Sequence, residues 1–314
     1  ISKSELDSLV NLFTYFKGVQ TSENLKKQIE SDPAITKCGL RMVNEIKQNF
    51  DLLNLSQQKI LAPLLQRPQM QKSTVTPKGY FRVHYDTTGV NAIGYNLTQF
   101  LQALDSAYTF EVIFLGYSAP PADGSEGGDN KYDVYIQNLS GLYGYTQFEN
   151  KVSQNSWTSF MVVDNDYSIE YYSTGINGAR VTVAHEFHHG IQGGNYAPSE
   201  LNSPFRNSDV FYYELSSTAM EEFVFNDVND YYAYISAYFS RPGKAMPNTD
   251  GYSIAIWNIF LQKNFGFDIL KRQWDLIPGN PALKAIALSF DEEGTNFGNE
   301  LNRFGIWSYF TNTR

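Results

Sequence analysis

Apolar positions fall three and four residues apart at the start of the chain: Leu6, Leu9, Val10, Leu12 and Phe13, then Met42, Val43, Ile46, Phe50, Leu52 and Leu53. That spacing puts them on one helical face, so residues 1 to about 68 read as helical, with Asp32-Pro33 breaking the run. The polar stretch 66–79, QRPQMQKSTVTPKG, carries two prolines and reads as an exposed connection open to proteolysis. From Tyr80 to about Tyr167 the pattern changes to short β-branched and aromatic runs, FRVHY, FEVIFLGY, DVYIQNL and SFMVVDNDY, separated by Gly, Asn, Asp and Pro. These predict a mixed or antiparallel sheet. After about Gly178 the helical spacing returns in VTVAHEFHHGIQ, ELSSTAMEEFVF, YSIAIWNIFLQ and FDILKRQW. The expected fold is α+β in three parts: an N-terminal helical region at 1–72, a β-rich half at 73–175 and a helical half at 176–314.

Composition narrows the class of function. With 42% hydrophobic residues, the 314-residue chain can bury a large core. A formal net charge of −9 and the lack of any basic run argue against nucleic acid as a partner. No apolar stretch approaches the roughly 20 residues of a membrane-spanning helix. Cys38 is the single cysteine, which excludes an internal disulfide. The sequence opens at Ile1 rather than Met, so a removed signal peptide and a secreted or cell-envelope location are expected.

Three of the four histidines, His185, His188 and His189, fall within five residues. In His185-Glu186-Phe187-His188-His189 the first and last imidazoles stand one turn apart on one helix face, where both reach a single tetrahedral Zn²⁺. Glu186, beside that face, is placed to take a proton from water activated by the metal. Apolar and small residues before His185 suit a buried helix, in which an unpaired imidazole and carboxylate would be costly. His188 points about 100° away from His189 and reads as a packing or hydrogen-bonding residue. His84, in the alternating FRVHY run, reads as a satisfied histidine.

A carboxylate is therefore expected as third ligand. The metzincin layout requires Gly and His at positions where this chain has Gln192 and Asn195. A gluzincin layout takes a Glu from a downstream helix, and Glu214 in YYELSSTAMEE is the candidate. Glu221 lies two turns further along the same face, placed to accept a hydrogen bond from a ligating histidine.

VTVAHEFHHGIQ, YYELSSTAMEE and GYSIAIWNIFLQKNFG together resemble the gluzincin superfamily of zinc metallopeptidases, and more narrowly a group of secreted bacterial metalloproteases with an EFHH-type motif. The resemblance extends to GYFRVHYDTTG, KYDVYIQNL, GLYGYT and the closing WSYFTNTR, covering most of the chain after about residue 78. It implies a zincin-like catalytic half, a protein or peptide substrate, and substrate pairing along the strand that precedes the motif helix. Thermolysin-like members carry Asp four residues after the ligand Glu, where this chain has Thr218. The gluzincin aminopeptidases have a Tyr opening a later helix. Tyr252 is similarly placed, either as an oxyanion stabiliser or as one of 22 tyrosines packed in a core.

Thr36-Lys37-Cys38-Gly39 is similar in form to the cysteine switch of matrix metalloproteases, in which a propeptide sulfur occupies the zinc. Residues 1 to about 72 are then a propeptide, with Cys38 as fourth ligand of a latent form and cleavage within 66–79 as activation; the alternative is a buried thiol. The loop Asp123–Asn130 gathers oxygen ligands that a Ca²⁺ could use, with a plain solvated turn as the default reading, and the same holds for Asp164-Asn165-Asp166. The function expected is a zinc metallopeptidase. A zinc-containing binding or adhesion module and a metal-dependent hydrolase of a non-peptide substrate are the rivals.

Overall fold

The computed structural model describes residues 1–19, 22–168 and 171–310. The end of the WSYFTNTR stretch, 311–314, lies outside them. The first five helices are α1 (Lys3–Phe16), α2 (Glu23–Ser31), α3 (Ala34–Lys37), α4 (Leu40–Gln48) and α5 (Leu55–Leu64). Side chains start three of them: Ser2, Ser22 and Asn54 accept from backbone N–H groups of the first turn, and Gln57 completes a capping box with Asn54. As expected, Asp32-Pro33 separates two of them, Pro33 preceding the first residue of α3.

The middle of the chain supplies β1 (Lys72–Val75), β2 (Phe81–Tyr85), α6 (Leu97–Tyr108), β3 (Tyr132–Gln137), β4 (Gly144–Ser153) and β5 (Ser156–Asp164). One mixed sheet runs β1-β2-β3-β5-β4, with parallel pairs at its centre and antiparallel strands at both edges. The rest is helical: α7 (Gly175–Asn195), α8 (Val210–Val224), α9 (Tyr232–Ser240), α10 (Ile256–Phe265), α11 (Asp268–Leu276), α12 (Ala282–Ser289) and α13 (Phe297–Tyr309). Helix α7 lies against β4 and β5 and packs on α6 and α8. The molecule is α+β, and among the described residues no helix is long and apolar enough to cross a membrane.

Both faces of the sheet are buried, because successive side chains point to opposite sides. Val134 and Ile136 of β3 and Met161 and Val163 of β5 join the core built with α6, α7 and α8. Tyr135, Tyr145, Phe160 and Val162 point the other way and pack with Leu6, Val10, Phe13 and Phe16 of α1 and Val43 and Ile46 of α4. The N-terminal helices thus form the second wall of the sheet.

Three sequence expectations change. FEVIFLGY is not a strand: Thr109–Phe114 continues α6 as a π-helical turn. Its strand-like composition is overridden because Glu111 is carried inward to His188, while Ile113 and Phe114 stay exposed. The connection 66–79 is not wholly irregular either, since it contains β1 and is anchored by Arg67, which pairs with Asp123, Asp133 and Glu149. Finally, the strand preceding the motif helix, β5, lies inside the sheet, and the edge on that side is β4.

Candidate metal centre

Helix α7 is buried along most of its length and carries His185, Glu186 and His189, while α8 brings Glu214 opposite them. Close backbone approach makes this geometry possible. A Cβ on Gly144 would lie 2.8 Å from Thr182 Cγ2 and 3.2 Å from Glu186 Cγ, so only glycine lets the first residue of β4 sit under the motif helix. Gly251 has φ +90°, and a Cβ there would meet the Phe211 carbonyl oxygen at 2.4 Å and Glu214 Cβ at 2.7 Å.

The proton positions on the two histidines follow from their partners. Gln192 donates its amide to the Tyr213 carbonyl at 3.1 Å, which turns its Oε1 toward His189 Nδ1 at 2.7 Å. His185 Nδ1 donates to Glu221 Oε1, also at 2.7 Å. With both Nδ1 atoms engaged by these acceptors, the two Nε2 atoms are the ring nitrogens left for a metal or, in its place, a proton. Those nitrogens lie 3.1 Å apart, and Glu214 Oε2 is 3.1 Å from one and 3.4 Å from the other. Zinc bonds of about 2.0–2.1 Å put neighbouring tetrahedral donors about 3.3 Å apart, so the set matches that spacing. The sulfur of Cys38 completes a group of four donors, all within 4.8 Å of one another.

The electrostatics favour positive charge at this point. Burial works to lower His185, but Glu214 and Glu221 overrule it and raise its pKa to about 9. Burial works to raise Glu214, and His189 and His185 overrule that, holding it at about 2. Three converging donor atoms with no lysine or arginine of the described residues between them are the arrangement a divalent metal satisfies. The Cys38 thiol is pushed up by burial and by the nearby Glu186 and Glu214 charges, which a bound metal would reverse by stabilising the thiolate.

Glu186 stands beside the four donors. The Thr146 hydroxyl lies 2.9 Å from its Oε2, whereas Oε1 is buried with no partner. An unpartnered carboxylate oxygen beside a donor set could hold a water. Burial raises the pKa of Glu186 against the opposing pull of His185 and His189. The ring of Tyr252, the residue after Gly251, is 6.1 Å from that of His185.

The remaining expected residues lie elsewhere. His84 stacks on Tyr135 and bonds Asp133 at 2.7 Å, and His188 pairs with Glu111 at 2.8 Å, burial raising the pKa of the acid and lowering that of the imidazole. In the glycine-rich loop, Asp123 is paired with Arg67, and Asp129 with Arg82 and Lys131. Asp164 caps a turn through the N–H groups of Leu139 and Tyr167.

Sequence reasoning missed the lining contributed by the N-terminal segment. The Thr36 carbonyl accepts from Tyr143 N–H, Gly39 N–H donates to the Gly144 carbonyl, and the Asn44 amide bonds both the Thr146 carbonyl and Phe148 N–H. Residues 36–44 therefore occupy the outer edge of β4 beside Glu186. Gln192 was the one legible omission, sitting one turn after His189 on the same helix face. Compared with known proteins, the chain matches no family model and no curated sequence.

Proposed function

We propose that the chain is a zinc-dependent metallopeptidase described in its latent state. The observation that carries this reading is the convergence of His185 Nε2, His189 Nε2 and Glu214 Oε2 at zinc-like spacing, with the orphaned Glu186 Oε1 beside them. Zn²⁺ bound there supplies Lewis acidity for a substrate carbonyl and lowers the pKa of water to about 7. Glu186 accepts the proton of the attacking water and returns it to the leaving amine, with Thr146 fixing the other carboxylate oxygen. Glu221 and Gln192 keep the imidazoles oriented. Tyr252, whose ring lies 6.1 Å from that of His185, is the residue this reading assigns to the oxyanion.

Latency follows from residues 36–44. They place Cys38 among the metal donors and fill the β4 edge that an extended substrate would use. A secreted or envelope setting belongs to the same reading. The four-donor set also suits a structural zinc in a binding module, in which the fourth position never opens. Metal analysis with a peptidase assay separates the two. Near-stoichiometric zinc, activity that appears after cleavage within 68–71 or in Cys38→Ala, and its loss in Glu186→Ala support the peptidase. Zinc with no activity in any form favours the binding module, and absence of zinc binding overturns both.

A further inference from the structure

Lys37, the residue before Cys38, enters a closed pocket: its side chain has 0% exposure. Its Nζ donates to Glu221 Oε2 at 2.8 Å and to Asp230 Oδ2 at 2.6 Å. The rings of Tyr143 and Tyr234 flank it, with centroids 4.6 and 5.6 Å from Nζ. Burial alone would lower this lysine's pKa, but Asp230 and Glu221 overrule it and hold it well above the ordinary value.

The receptacle and its occupant come from different parts of the chain. Glu221 lies on α8, Asp230 just before α9, Tyr234 on α9 and Tyr143 just before β4, whereas Lys37 arrives on the segment that also brings Cys38 to the candidate metal donors. Two carboxylates and two aromatic faces are built around one cation, the chemistry that recognises an alkylammonium. The pocket also lies one residue from the reacting centre, through Glu221, whose other oxygen holds His185. A cavity of about 610 Å³ next to it has one wall of Tyr143, Tyr171, Tyr232 and Tyr234, and the N-terminal segment, through Tyr15, Ile29, Pro33 and Thr36, forms the other.

We propose that this pocket is the side-chain specificity site of the cleft, and that the substrates are peptides with a lysine beside the cleaved bond, a position that Lys37 occupies in the latent chain. The proposal rests on the peptidase reading, and two experiments separate its failure from the failure of that reading. In the full-length, zinc-loaded Lys37→Ala protein, propylammonium replaces the atoms removed. It should raise Tm by several degrees, propanol should not, and the wild-type chain and Lys37→Ala/Asp230→Ala should respond to neither. Equal shifts with amine and alcohol overturn the proposal.

The second experiment does not depend on that variant folding. A mixed peptide library is digested with the full-length wild-type chain nicked within 68–71, and with the full-length Lys37→Ala/Cys38→Ala protein. Enrichment of lysine by at least about tenfold at one fixed position next to the cleaved bond supports the specificity site. Cleavage without such enrichment overturns the specificity site and leaves the peptidase standing. No cleavage by either preparation removes the peptidase reading and the specificity proposal with it.

Discussion

Glu221 joins two systems with one carboxylate: its Oε1 accepts from His185 Nδ1 at 2.7 Å and its Oε2 from Lys37 Nζ at 2.8 Å. The imidazole that faces the metal position and the lysine of the N-terminal segment are therefore held by the same buried group.

Removing that charge should weaken metal binding without touching a ligand. Glu221→Gln lowers the basicity of His185 and loosens its orientation, and zinc affinity is expected to fall about 10- to 100-fold. Chelator competition measures this directly, and an unchanged affinity would show that Glu221 does not support the site.

Gly251 predicts a second effect on the same ligand set from the opposite side. Gly251→Ala adds a Cβ 2.7 Å from Glu214 Cβ at a backbone angle that alanine rarely adopts. It should cost upward of about 1–3 kcal/mol in urea unfolding and reduce zinc uptake. Gly243, whose Cβ would meet nothing within 4 Å, is the control position, and equal behaviour of the two alanine variants would count against this account.

Asn44 acts as a peptide unit made from a side chain. Its amide donates to the Thr146 carbonyl at 2.9 Å and accepts from Phe148 N–H at 3.0 Å. Asn44→Ala leaves both buried groups unpaired and should destabilise the chain by about 1–3 kcal/mol. Hydrogen exchange at Phe148 N–H should rise in the same variant, and protection equal to that of the wild type would refute the assignment.

The pH dependence of stability should carry a signature of Glu222. Burial first and the Glu221 charge second push its pKa up to about 7 from 4.5, and its Oε2 has no partner. Between those values the folded chain keeps a proton that the unfolded chain has lost, so stability falls as pH rises from about 4.5 to 7. Glu222→Gln should therefore gain stability over the wild type at pH 8 but not at pH 4. A gain of equal size at both pH values would exclude titration of Glu222 as its cause.

The helical pattern of α7 and α8 was legible because both carry dense apolar spacing, and the HExxH spacing with Glu214 picks out three of the side chains that the fold brings together. The strands β2, β3 and β5 were legible from β-branched runs. β4 escaped because GYTQFENKVS mixes glycine with polar residues, its identity being set by pairing with β5 (Gly144 opposite Val163) rather than by composition. Lys37 and Asp230 are 193 positions apart, and neither has a neighbour pattern that marks it. Long-range ion pairs of this kind leave no periodic trace.

The sheet that faces two cores has one further consequence. Sliding β5 by one residue would exchange Phe160 and Val162 for Met161 and Val163, leaving both sides as apolar as before, so hydrophobicity alone cannot fix the alignment of this strand. The irregularities of β4 at Phe148/Lys151 and Lys151/Ser153, together with the Thr146 hydroxyl 2.7 Å from the Glu186 carbonyl, supply the missing reference marks. The candidate reaction centre is thus also a ruler for the sheet: the threonine that orients Glu186 measures out which residue of β4 stands opposite which residue of the motif helix.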